Sequence, residues 1–138
     1  MVNECFEVES VTFMVRIEDS NSFKSLTVNG RKLSFDLNPK YDEKGRLIVS
    51  LDPEHLFFRC AKLYQEYSIA KSELTVASQR TTAIFKVDSN KALVNGKEVT
   101  LGIPMTMRDG LPTFLLSDLC SIFGFKYTDN NGEVNIIA

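Results

Sequence analysis

The sequence predicts an α+β fold: two tandem repeats, each a small antiparallel β-sheet that carries an Asn-Gly hairpin and packs one α-helix. Three observations predict it. Val28-Asn29-Gly30 followed by RKLSFDL returns as Val94-Asn95-Gly96 followed by KEVTLGI, an offset of 94 − 28 = 66 residues. Upstream, Thr12, Val15-Arg16-Ile17 and Asp19-Ser20-Asn21 answer Thr82, Phe85-Lys86-Val87 and Asp88-Ser89-Asn90. Downstream, each hairpin leads to an apolar run and then a helix-start signal. Self-similarity at a fixed period decides architecture before any single element does. The expected units are residues 1–78, a first repeat with an N-terminal strand, and 79–138, a second repeat. The junction from Ser78 to Thr82 has no Pro/Gly/Ser-rich linker, so the halves are expected to pack as one unit.

In chain order, Val11, Phe13, Val15 and Ile17 alternate with Thr12, Met14 and Arg16, the pattern of a half-buried strand. Asn29-Gly30 between alternating apolar residues is a hairpin signal, because a type I′ turn needs positive φ at both central residues. A two-residue loop sets Val28 opposite Arg31 and Leu26 opposite Leu33. The second hairpin sets Val94 opposite Lys97 and Ala92 opposite Val99. Loops ending at Gly45 and Gly110 then precede the apolar runs Leu47 to Leu51 and Thr113 to Leu116.

Asp52 as cap and Pro53 in the first turn predict a helix of about four turns, with Leu56, Phe57, Cys60, Leu63, Tyr64 and Tyr67 on its apolar face. Ser117 is expected to cap a shorter helix holding Leu119, Ile122 and Phe123, with Gly124 as its left-handed stop. Leu74-Thr75-Val76 closes the first unit. Phe125-Lys126-Tyr127, a turn at Asp129-Asn130-Asn131-Gly132, and Val134 to Ile137 close the second.

Composition excludes several functions. With 138 residues the chain has core enough to fold without a metal or disulfide. A net charge of −2 and a pI near 5.4 argue against a nucleic-acid or anionic-membrane partner. Apolar runs such as Phe114-Leu115-Leu116 are far too short to span a bilayer, so no membrane insertion is expected. The first twenty residues carry Glu4, Glu7 and Glu9 and no apolar signal core. That fits a cytoplasmic protein or a segment cut from an exported precursor.

The second repeat resembles the copper amine oxidase N-terminal-domain, or stalk-domain, family. The resemblance rests on Asn95-Gly96-Lys97, Ile103-Pro104, Asp109-Gly110, Leu115-Leu116, Phe123-Gly124 and Thr128-Asp129. The first repeat adds Asn29-Gly30-Arg31, Phe35-Asp36-Leu37, Pro39, Gly45-Arg46 and Leu47 to Leu51, and together they cover roughly Lys24 to Ala138. The family's Pro-Leu-Arg step before the helix reads Ser50-Leu51-Asp52 and Leu115-Leu116-Ser117 here, without the arginine. The resemblance implies a non-catalytic structural or adhesion-type module like those on bacterial cell-surface proteins. It also implies an extracellular or cell-surface location, with other domains or cell-wall components as partners.

No cofactor and no catalytic or metal site is expected from the residues. His55 is the only histidine, in the first turn of a predicted helix, and Cys5, Cys60 and Cys120 lack zinc spacing. No strained serine elbow or glycine-rich phosphate loop is present. Phe13 and Phe85, the aromatics that an RNA-binding sheet would expose, fall on core-facing strand positions. Two aromatics fall off the apolar patterns: Tyr41 in a loop and Phe58 beside the helical stripe. They are the candidate contacts of the competing reading, a ligand-binding module for cell-wall glycan or peptide.

Overall fold

The computed structural model describes residues 22–138. The strand expected around Val11 to Ile17, Cys5, Phe13 and the upstream half of the sequence echo before Ser22 lie outside the described residues. Strands β1 (Ser25–Val28) and β2 (Arg31–Lys32) form the first hairpin, followed by β3 (Lys40–Tyr41), β4 (Leu47–Ser50) and helix α1 (Leu56–Cys60). Then come β5 (Tyr64–Ser68), β6 (Glu73–Ala77), β7 (Thr82–Lys86), β8 (Ser89–Val94), β9 (Lys97–Arg108) and β10 (Leu111–Leu115). Helix α2 (Leu116–Phe123) and the hairpin β11 (Lys126–Asn130) and β12 (Glu133–Ile137) end the chain.

The α+β expectation is corrected. Strands take 51% of the described residues and helices 11%, so the fold is mostly β, with two sheets and two short helices. Nor, among the described residues, do the two hairpins sit in equivalent units. The first Asn-Gly hairpin lies in a four-stranded sheet ordered β11-β12-β1-β2, and the second in an eight-stranded sheet ordered β3-β4-β10-β9-β8-β7-β6-β5. The expectation of purely antiparallel sheets fails at one seam, where β1 runs parallel to β12, with Leu26 opposite Val134 and Val28 opposite Ile136.

Much of the correction falls on the first helix. It is five residues long, and its cap is His55 rather than Asp52. Asp52 instead holds a turn ahead of the helix: its carboxylate accepts from the Glu54 amide at 2.8 Å and its carbonyl from the His55 amide at 2.8 Å. The helix stops because Lys62 takes φ 59°. The Leu63 amide then reaches the Phe58 carbonyl at 2.7 Å, and the Lys62 amide reaches Arg59 at 3.1 Å, the two bonds of a Schellman stop. Tyr64 to Ser68, expected as the last helical turn, pairs as a strand with β6, Tyr64 opposite Ala77. In α2 the cap position is Leu115 and Ser117 lies inside the helix, while Gly124 does stop it at φ 74°.

The hairpin registers are as expected: Val28 faces Arg31, Val94 faces Lys97, and Ala92 faces Val99. The turn residues hold φ 51° and 85° at Asn29-Gly30 and 52° and 83° at Asn95-Gly96. Asp109-Gly110 and Asn131-Gly132 take the same conformation, so two further turns are tight two-residue hairpins.

The long strand β9 pairs with β8 up to Thr100 and again at Met105, then with β10 from Thr106. Between these stretches lie Gly102 and Pro104, where a missing N–H costs no ladder bond. The core joins residues from all parts of the chain: Leu26, Val49, Phe57, Phe85, Phe114, Leu116, Leu119 and Ile136 are fully buried. Phe85 and Phe114 meet edge to face at 5.8 Å.

Candidate functional site

Tyr41 ends the two-residue edge strand β3, opposite Leu47, and opens the loop to β4. Asp42 organises that loop. One carboxylate oxygen accepts from the Lys44 and Arg46 amides at 2.9 and 2.8 Å, and the other from Arg46 Nε at 2.8 Å. The Arg46 amide is the main cause of an Asp42 carboxyl held below its ordinary pKa, with the Arg46 side chain and Lys44 amide adding to it. Gly45 supplies the φ of 77° that turns the chain back.

The Tyr41 hydroxyl leaves its own sheet and donates to Asp129 Oδ2 at 2.5 Å. The other Asp129 oxygen accepts from the Gly132 amide at 2.9 Å, so the β11–β12 turn holds the carboxylate in place. Burial first, and the Asp129 hydrogen bond second, push the Tyr41 hydroxyl well above its ordinary pKa. Between the β3–β4 loop and this turn lies an open groove of about 610 Å³, lined by Tyr41, Asp42, Glu43, Lys44, Gly45, Asp129, Asn131 and Gly132. A smaller groove of about 400 Å³ lies on the other side of Tyr41, lined in part by Phe23, Asn38 and Pro39. Tyr41 is thus a wall shared by two grooves. Asp129 and Asn131 were not legible as partners of Tyr41, since 88 residues separate Tyr41 from Asp129.

Phe58 is placed differently. It is 1% exposed and sits in the core edge to face with Phe57, so the exposure expected of it is absent. The two candidate contacts are not brought together: the grooves at Tyr41 do not include Phe58, which borders a third hollow with His55 and Arg59.

Among the described residues, His55, Cys120 and Asp118 have structural work. His55 Nδ1 accepts from the Phe57 amide at 2.9 Å, and Nε2 lies 2.8 Å from the Ser34 carbonyl, which makes it the protonated nitrogen. Its ring stacks on Phe35 at 4.9 Å. Burial pushes the Cys120 thiol up to about 12, in a side chain that is 4% exposed. Asp118 accepts the Gly102 amide on both oxygens, at 3.1 and 3.0 Å, and burial raises its pKa against the pull of the Gly102 and Ile103 amides. A Cβ at Gly102 would lie 2.6 Å from Leu115 Cδ1, so a side chain there would need the Leu115 methyl to move aside. Among the described residues no group of three or more His, Cys, Asp or Glu is placed to hold a metal ion. No helix among them is long and apolar enough to cross a membrane.

The model of the copper amine oxidase N-terminal domain matches residues 27–138, most of the chain and both Asn-Gly hairpins. The chain belongs to the copper amine oxidase N-terminal domain family. That family is a non-catalytic, stalk-like domain, a part of copper amine oxidases that does no chemistry itself. No curated protein matches the chain. Family membership assigns no role to Tyr41 or to the groove beside it.

Proposed function

We propose that the domain is a non-catalytic structural module of the stalk or adhesion type, holding or spacing other domains at a cell surface. The observation that carries this reading is the employment of its reactive groups. The single histidine caps a helix, the carboxylates of Asp42, Asp118 and Asp129 hold backbone amides, and Cys120 is sealed in the core. No base is left beside a nucleophile in these arrangements, which is the minimum that acyl or glycosyl transfer demands. Strand pairs that join distant chain segments, β1 with β12 and β4 with β10, supply the stiffness a spacer needs.

A second reading, a binding module for cell-wall glycan or peptide, is favoured by one observation: the groove beside Tyr41. It offers an aromatic face, a lysine, an amide side chain and three carboxylates to a polar ligand. A glycan array and a cell-wall pull-down with the purified chain separate the two. Structural use predicts no saturable binding. Saturable binding that Tyr41→Ala abolishes would assign the groove to a ligand and displace the first reading.

A further inference from the structure

We propose that the parallel β1–β12 pair is a mechanical clamp, so that the domain resists tension applied between Ser22 and Ala138. The use of that resistance rests on the stalk reading, but the geometry does not. β1 begins just after Ser22 and β12 ends just before Ala138. Because the two strands run parallel, pulling Ser22 and Ala138 in opposite directions drives the strands past each other along their own axes. Every bond across the seam then takes the load together. In an antiparallel pair the same pull would open the bonds one after another.

The seam is built for sliding resistance. It has four register pairs, from Ser25 with Glu133 to Val28 with Ile136. It is closed at one end by the Lys24 and Ser25 amides on the Gly132 carbonyl, at 2.9 and 3.2 Å. At the other end the Asn29 amide donates to the Ile136 carbonyl at 2.9 Å, and the Ala138 amide to Asn29 Oδ1 at 2.9 Å. Midway, the Thr27 hydroxyl donates to Asn135 Oδ1 at 2.5 Å.

Leu26, Val28, Val134 and Ile136 are all at most 1% exposed, so sliding also drags apolar side chains through a packed core. The sheet order β11-β12-β1-β2 puts both strands in the centre, each flanked by its own hairpin partner.

Forced unfolding is governed by the barrier along the pulling direction and not by equilibrium stability. The test is therefore directional. Bio-orthogonal handles are placed in the full chain at Ser22 and Ala138 for shear, or at Ser22 and Asn131 for unzipping from one end. All three positions are exposed. Both proteins are first matched for equilibrium midpoint in urea, then pulled singly at one loading rate. The clamp predicts an unfolding force several-fold higher for Ser22/Ala138 than for Ser22/Asn131. Equal forces, or a weaker shear geometry, would overturn it. That result would leave the stalk reading standing, since its own failure is read from saturable ligand binding.

Discussion

Three Asn-Gly turns of one conformation allow a controlled experiment on a single glycine. Gly30, Gly96 and Gly132 sit at φ 85°, 83° and 94°. Alanine at any of them pays the left-handed strain of an L-residue, about 1–2 kcal/mol. Around Gly30 and Gly96 an added Cβ meets nothing within 4 Å. At Gly132 it would lie 2.0 Å from the Ser22 carbonyl oxygen, which is backbone and has no rotamer to escape into. Ser22 has to retreat by roughly an ångström, and Lys24 and Ser25 follow it away from the Gly132 carbonyl they both donate to.

Two hydrogen bonds at about 1 kcal/mol each bring the Gly132→Ala loss to about 3–4 kcal/mol, against about 1–2 for Gly30→Ala and Gly96→Ala. Urea denaturation reads this as a larger fall in midpoint at unchanged m-value. Equal losses at all three turns would refute the close packing of the chain before β1 on the β11–β12 turn.

Three further predictions test other parts of the fold. Ser50 Oγ and Thr113 Oγ1 lie 2.7 Å apart in the core, and the Thr113 hydroxyl donates to the Leu111 carbonyl, so Ser50 is the donor between them. Thr113→Val orphans that donor and should cost about 1–3 kcal/mol, while the Ser50→Ala/Thr113→Val double variant recovers most of the loss in a double-mutant cycle. The Tyr127 hydroxyl is pushed up to about 12, first by burial and then by the Asp129 and Cys120 charges. A raised folded pKa gives stability that is complete below pH 10 and lost as pH rises towards 12, so Tyr127→Phe should flatten the fall in urea midpoint over that window. Residues 1–78 and 79–138, expressed separately, should each lack a cooperative transition in chemical denaturation, because β1 pairs with β12, β4 with β10 and β6 with β7 across the cut; two independent transitions would mean autonomous halves.

What was legible in the sequence was local. Asn29-Gly30 and Asn95-Gly96 encode their turns and registers in adjacent residues, because φ > 0 twice in succession leaves few alternatives. Gly124 encodes its helix stop in the same way. The first helix misled because Leu56, Phe57, Cys60, Leu63, Tyr64 and Tyr67 all suit one helical face, while only the first of them are helical. The stop between them is a lysine at φ 59°, a position where glycine is the usual signal. Helical spacing of Tyr64 and Tyr67 is equally compatible with a strand that has β6 to pair with, so the tertiary partner decided the matter. In the candidate site Tyr41 was visible as an aromatic outside any apolar pattern. Its partner Asp129 was not, since no local spacing records a contact between strand ends of two different sheets. Phe58 was misjudged for a related reason: a five-residue helix closed against β5 buries positions that a longer amphipathic helix would leave at its flank.

The sequence echo has its physical meaning at a seam. Aligned on Gly45 and Gly110, an offset of 110 − 45 = 65, the run in β4 corresponds to the run in β10, and the two pair with each other. Val49 faces Phe114, its own counterpart at 114 − 49 = 65. Ile48 faces Leu115 and Ser50 faces Thr113, which under the same offset are one pair exchanged with the other. The relation is a local two-fold, and it ends a strand or two away. On one side β4 is flanked by the two-residue edge strand β3; on the other β10 is flanked by the long strand β9, which leads on to four more strands. An echo of this kind constrains both runs at once, because each is the surface on which the other packs. Changing volume at Val49 alters the site that holds Phe114, whose ring in turn meets Phe85 at 5.8 Å. Coupling of this sort ties an early segment to a late one across the β4–β10 pair, which is why the separated halves 1–78 and 79–138 are expected to lose their cooperative transitions.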